Sequence, residues 1–196
     1  MAPALATELL ELIVDSLEYD EQHIQDLLSL CSTARGFVRC CQIHLFRNVT
    51  LYHPISSRRP EVSRVYLRKF KKGLLFVQSV TQRPDLALYV KTLEYWMPSD
   101  IVGGGTRAKD FSIVIQAVAN MTRISKLTLG FDKKLAVPSF LAMRSTIWKT
   151  AIESLIQQPP LTHLALHHII PFPLDLLLKA VHLRDLEAVN SCLECC

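Results

Sequence analysis

The sequence predicts a mixed α and β fold in two parts, three short N-terminal helices followed by an irregular α/β stack of repeated strand, loop and helix units. Three observations carry this expectation. Apolar residues recur at helical spacing over residues 5 to 46, and a Leu-x-apolar core returns four times between residues 93 and 188. Charge also divides unevenly, with seven acids against three Lys or Arg in residues 1 to 53 and eleven against nineteen in the remainder.

Thr7 is placed to cap a first helix whose apolar positions Leu9, Leu10, Ile13, Val14 and Leu17 share one face. Glu8, Glu11, Asp15 and Glu18 fill the other side, and acids in the first turn complement the helix dipole. Leu12, and Leu5 ahead of the cap, fall outside that stripe. They widen the apolar arc from about 140° to about 200°, more than one internal contact surface needs. This helix is therefore expected to bury two sides.

The polar segment 19–23 (YDEQH) ends it, and Ile24, Leu27, Leu28, Cys31 and Ala34 restore helical spacing. Gly36 marks a break before Phe37, Val38, Cys40, Cys41, Leu45 and Phe46. Three short helices in roughly 45 residues bury too little surface to be stable unaided. They are expected to lean on the rest of the chain, on a partner, or on both.

Val49, Thr50 and Leu51 form a short β-prone run, and a basic segment then leads into a helix carrying Val65, Leu67, Phe70, Leu74, Val77 and Val80. Extended segments are expected at Val90 to Tyr95, Lys126 to Leu129, His163 to Leu166 and Asp185 to Val189, and helices at 108–119, 139–158 and 172–181. The repeated cores are Leu93-Glu94-Tyr95, Leu127-Thr128-Leu129, Leu164-Ala165-Leu166 and the weaker Leu186-Glu187-Ala188, their first leucines 34, 37 and 22 residues apart. The last interval lies in the range of leucine-rich repeats. Units of this kind stack side by side, with a parallel sheet on one wall and helices on the other. No obvious polar cap closes the stack before residue 196, so the chain reads as a truncated part of a longer solenoid. The expected organisation is a docking motif over 1–52, a basic helical connector over 53–84 and degenerate leucine-rich-repeat-like units over 85–196.

The totals exclude several classes. No run reaches roughly eighteen apolar residues, and Glu8, Glu11 and Asp15 interrupt the N-terminus where a signal peptide is uniformly apolar. A cytoplasmic or nuclear location is expected, with no membrane partner and reduced cysteines. Cys31, Cys40 and Cys41 read as small core residues. Cys192, Cys195 and Cys196 offer three thiols at a chain end, short of the four ligands of a structural zinc site, and Leu193 occupies the position a four-residue prenylation box gives to cysteine. No metal and no cofactor is expected.

The stretch LATELLELIVDSL, followed by IQDLLSL, RGFVRC and HLFRNVTL, resembles the F-box family in the order and spacing of its apolar anchors. Leu5 and Glu8 match the family's Leu-Pro-x-Glu opening, with Ala6 where Pro is usual, and Phe37 occupies the third-helix slot that usually carries Trp. LLFVQSVTQRPDLALYVKTLEY and PLTHLAL resemble, loosely over residues 70 to 190, the body of fungal F-box proteins with degenerate leucine-rich repeats. The resemblance implies a non-enzymatic substrate adaptor of a cullin-RING (SCF-type) ubiquitin ligase. The F-box would hold the Skp-type linker of the cullin complex, and the repeats would select an unknown target protein. Leu5, Leu9, Leu12 and Ile13 would then enter an apolar groove of the linker, and Glu8 and Leu17 of the same helix would also belong to the linker-binding set. Leu28, Phe37 and Leu45 would support that surface or touch the linker. Ala6 and Phe37 leave open an orphan interaction scaffold with a degenerate F-box.

Arg58, Arg59, Arg64, Arg68, Lys69, Lys71 and Lys72 concentrate positive charge with Glu61 as the sole acid. Such a patch suits nucleic-acid phosphates, but without interleaved aromatics it reads first as the solvated face of the helix bearing Leu67, Phe70 and Leu74, and next as a site for an acidic protein. Gly103-Gly104-Gly105-Thr106-Arg107 lacks the phosphate-loop pattern and reads as a connector. His163, His167 and His168, with Asp175 beyond, lack a nucleophile motif; His163 is expected beside the Leu164 strand and the other two at a turn. No catalytic residue is assigned.

Overall fold

The structure is a computed structural model that describes residues 7–17, 23–53, 64–97, 108–131, 146–191 and 193–194. Leu5, Ala6, Arg58, Arg59, the glycines at 103–105, residues 139–145 of the expected helix 139–158, and Cys192, Cys195 and Cys196 lie outside these. The chain forms two compact units, Met1–Asn48 and Val49–Cys196.

The first unit holds α1 (Thr7–Asp15), α2 (His23–Thr33) and α3 (Arg35–Leu45). Leu10 and Val14 of α1, Leu27 of α2 and Cys40 and Cys41 of α3 make its core, with Leu17, Leu30, Cys31, Phe37 and Leu45 packed around them. The expected break at Gly36 falls instead at Ala34, whose extended backbone (φ −151°, ψ 140°) separates α2 from α3. Gly36 lies in the first turn of α3 because a Cβ there would come within 3.0 Å of Leu10 Cδ1. Glycine thus marks a close helix approach here rather than a stop. His23, assigned by its neighbours to a polar linker, is buried at the start of α2, its ring 6.2 Å from that of His44. His44 Nε2 lies 2.9 Å from Asp15 Oδ1, so the end of α1 is tied to the last turn of α3. Burial raises the Cys41 thiol to about 12, aided by neighbouring Cys31, and burial also raises that of Cys40. Both remain protonated core residues.

The second unit is a mixed α/β layer pair. A five-stranded sheet has the order β1 (Asn48–Tyr52), β2 (Thr92–Met97), β3 (Lys126–Phe131), β4 (His163–His167), β6 (Asp185–Val189), and the last four are parallel. Helices α4 (Arg64–Gln82), α5 (Ala108–Ala119), α6 (Thr146–Ile156) and α7 (Leu174–Leu178) neighbour one another in the same chain order. A 3-10 helix, Pro84–Tyr89, links α4 to β2. The expected helix 172–181 is shorter than its apolar run: Phe172–Pro173 forms β5, paired in parallel with β7 (Leu193–Glu194), and only α7 is helical. Pro173 stands at the helix N-cap with extended backbone, which starts α7 at Leu174.

The leucines at the head of each Leu-x-apolar core stand in direct register. Leu93 pairs with Leu127, Leu127 with Leu164 and Leu164 with Leu186; Tyr95, Leu129, Leu166 and Ala188 form a second row. Alternate residues of a strand share a face, so both rows point to one side. The first three members of each row are buried, as are Val77, Val80, Val114, Val118, Ile152 and Leu155 of the helices. The strand starts also repeat at backbone level. Lys91 O accepts from Ser125 N–H and Lys126 N–H, Ser125 O from Thr162 N–H and His163 N–H, and Thr162 O from Arg184 N–H and Asp185 N–H. Unequal intervals between cores therefore end in one strand-start geometry, because the length differences fall between the strands.

On α4 the buried seam is Tyr66, Gly73, Val77 and Val80, with Leu67, Phe70 and Leu74 half-buried beside it. Gly73 again marks a close approach: a Cβ there would lie 3.3 Å from Leu51 Cδ2. Tyr66 hydroxyl donates to His53 O at 3.1 Å, and His53 Nδ1 lies 2.9 Å from Tyr95 Oη. Burial lowers the His53 pKa from 6.5 to about 4. As pH falls below 6.5 the unfolded chain takes up a proton that the folded chain refuses until about 4, so stability is full above 6.5 and declines toward 4. The loss is on the order of 3 kcal/mol at most. Denaturant unfolding from pH 7 to 4 should show this decline in the native protein and a shallower one in His53→Gln; parallel profiles would contradict the assignment.

Candidate functional site

The first candidate surface is the outer side of α1. At about 100° per residue Leu9 and Ile13 stand at one margin of the expected apolar face, on the side of Leu12, and Leu10, Val14 and Leu17 toward the other. The structure divides them accordingly: Leu10 and Val14 are 8% and 0% exposed, whereas Leu9, Leu12 and Ile13 are 48%, 64% and 41% exposed. Leu17 packs at the edge of the core, and Glu8 is exposed. Leu28 of α2 is exposed next to buried Leu27, with Ile24 one turn before it also exposed. Phe37 and Leu45 of α3 pack against the inner cluster. The residues whose roles the sequence left open thus separate: Leu28 faces outward, while Phe37 and Leu45 support the core. Both α1 and α2 pack on α3.

A second surface, which sequence reasoning missed, is the sheet face opposite the leucine rows. Three rows cross it in register: Thr92, Lys126, His163, Asp185; then Glu94, Thr128, Ala165, Glu187; then Trp96, Gly130, His167, Val189. Trp96 extends over Gly130, where a Cβ would meet its ring carbon Cζ3 at 2.4 Å, and its ring centroid lies 5.7 Å from that of His167. Glu94 Oε2 accepts from Trp96 Nε1–H and from Thr50 hydroxyl, each at 3.3 Å. The small residues Thr128, Gly130 and Ala165 are buried in the floor of this face. The available signal was Gly130, since a lone glycine inside a strand pattern marks close approach of another group. Gly130→Ala should expel the Trp96 ring at a cost of about 1–3 kcal/mol. Trp emission should shift and the unfolding midpoint fall; an unchanged spectrum and midpoint would contradict this packing.

The histidines divide as well. His163 Nε2 pairs with Asp185 Oδ2 at 2.8 Å across β4 and β6. Asp175 is instead exposed on α7. His167, expected at a turn, ends β4 against Trp96, and His168 begins the turn with φ 57°. Arg64 opens α4; Arg68, Lys69, Lys71 and Lys72 line its exposed side, with Lys69 Nζ 5.3 Å from the centre of the Tyr52 ring. Among the described residues no group of three His, Cys, Asp or Glu could hold a metal ion, and no helix is long and apolar enough to cross a membrane.

Compared with family models, with curated proteins and with solved structures, the chain matches none.

Proposed function

We propose that this chain is a substrate-recruiting adaptor of a cullin-RING (SCF-type) ubiquitin ligase: the first unit is an F-box that docks on a Skp-type linker, and the second is a leucine-rich-repeat-like solenoid that holds the target protein. The observation that carries this reading is the two-sided α1. Its inner residues Leu10 and Val14 complete a core, and its outer residues Leu9, Leu12 and Ile13 are left in solvent. Exposed aliphatic residues on one helical stripe suit a helix-in-groove contact, in which a few desolvated anchors supply most of the affinity. The F-box resemblance of LATELLELIVDSL names the partner whose groove they would enter. Support for the solenoid comes from the registered leucine rows and the repeated strand-start bonds. Each unit of such a stack buries its apolar face on its neighbour and leaves the other sheet face for a ligand.

The alternative of a degenerate, orphan motif rests on Ala6 and Phe37. Phe37 is packed against the unit's own core, so the Phe in the usual Trp slot sustains the fold that presents α1. Co-expression with a Skp-type linker should yield a complex with the native chain and none with Leu9→Asp/Ile13→Asp, whose exposed positions keep that variant folded. Absence of a complex with the native chain would refute the adaptor reading and leave the scaffold.

A further inference from the structure

We infer that the sheet face around Trp96 binds an arginine-containing basic segment of a partner protein. The charge on this face runs against that of the unit that bears it. Residues 54 to 196 hold nineteen Lys or Arg against eleven acids. On the three registered rows the order is reversed: Glu94, Asp185 and Glu187 stand with Lys126 as the only Lys or Arg. Asp185 already faces His163; Glu94, with one oxygen engaged by Trp96 and Thr50, and Glu187 stand at the two ends of the middle row. Three strand spacings of about 4.8 Å separate them, room for several residues of an extended peptide lying across the strands.

The Trp96 ring is what selects arginine within a basic segment. It lies over Gly130 rather than standing off the sheet, and His167 abuts it. Glu94 holds its indole N–H, so the ring has a fixed orientation and a carboxylate next to it. A guanidinium stacks on an indole face and pairs with a neighbouring carboxylate through its planar fork, which an ammonium does not reproduce. Thr128, Gly130 and Ala165, in register beside Glu94 and Trp96, bring no long side chain of their own against which an aliphatic stem would have to compete.

This deepens the adaptor reading by giving the chemistry of the target segment, and rests on it only in taking the second unit as the one that selects. Its test needs no linker, so the two can fail separately. The full chain is titrated with fluorescein-labelled oligo-arginine and oligo-lysine peptides of equal length, read by anisotropy. Oligo-arginine should bind more tightly than oligo-lysine, and Glu187→Lys, on an exposed edge strand, should weaken it by about tenfold or more. Trp96→Leu should abolish the preference for arginine, while Asp175→Asn, exposed on α7, should leave both peptides unaffected. Equal affinity of the native chain for the two peptides, no effect of Glu187→Lys, or an equal effect of Asp175→Asn would each overturn the assignment.

Discussion

Val14→Asp unfolds the first unit. Val14 is fully buried and packs in an apolar cluster with Leu10, Leu27, Cys40 and Cys41. An ionised carboxylate placed there costs several kcal/mol, more when unpaired. A unit of this size has about 2–7 kcal/mol of stability to lose. Circular dichroism should report lost helix, and amides of α1, α2 and α3 should exchange at nearly unprotected rates. The same change at Leu12, 64% exposed on the opposite stripe, should shift stability by no more than about 0.5 kcal/mol. Native-like protection in Val14→Asp would mean that α1 does not pack as described.

Leu127→Ala should cost about 2–5 kcal/mol, the range for a leucine removed from a close-packed interior. Leu127 is fully buried and stands between Leu93 and Leu164 in the row, so the cavity is enclosed by neighbouring strands. Leu186 occupies the same register position on edge strand β6 but is 42% exposed. Leu186→Ala should therefore cost under about 1 kcal/mol. Chemical denaturation of the two variants measures the difference directly. Equal losses would contradict the graded burial of the row from its centre to its edge.

The row was legible because Leu-x-apolar repeats at a strand period, and strands that begin alike align alike. Its extension was also legible: Ala188 offers less apolar surface than Tyr95, Leu129 or Leu166, and β6 is the exposed member of the sheet. The breadth of the α1 arc announced a second apolar side, but the expected burial of both sides is not met within the chain: Leu10 and Val14 are buried, and Leu9, Leu12 and Ile13 are exposed. Which residues served each side was not legible, because Leu9 and Ile13 share a stripe with Leu10 and Val14 when only periodicity is counted. The side on which α3 approaches divides them, and Gly36 beneath Leu10 records that approach. His23 was hidden for a similar reason: it is buried with its ring 6.2 Å from that of His44, a residue of α3 that its polar sequence neighbours do not foreshadow. The Trp96 surface was out of reach because it joins residues of β1, β2, β3 and β4 that only the register brings together.

Docking by the outer stripe of α1 is the central claim, and Leu12 is its most exposed described residue. Calorimetric titration of a purified Skp-type linker into the native chain and into Leu12→Asp, with thermal unfolding of both, tests it most directly. The expected result is binding by the native chain, a loss of about a hundredfold or more in the variant, and unchanged unfolding midpoints. Equal affinity of the two folded proteins for the linker would contradict it.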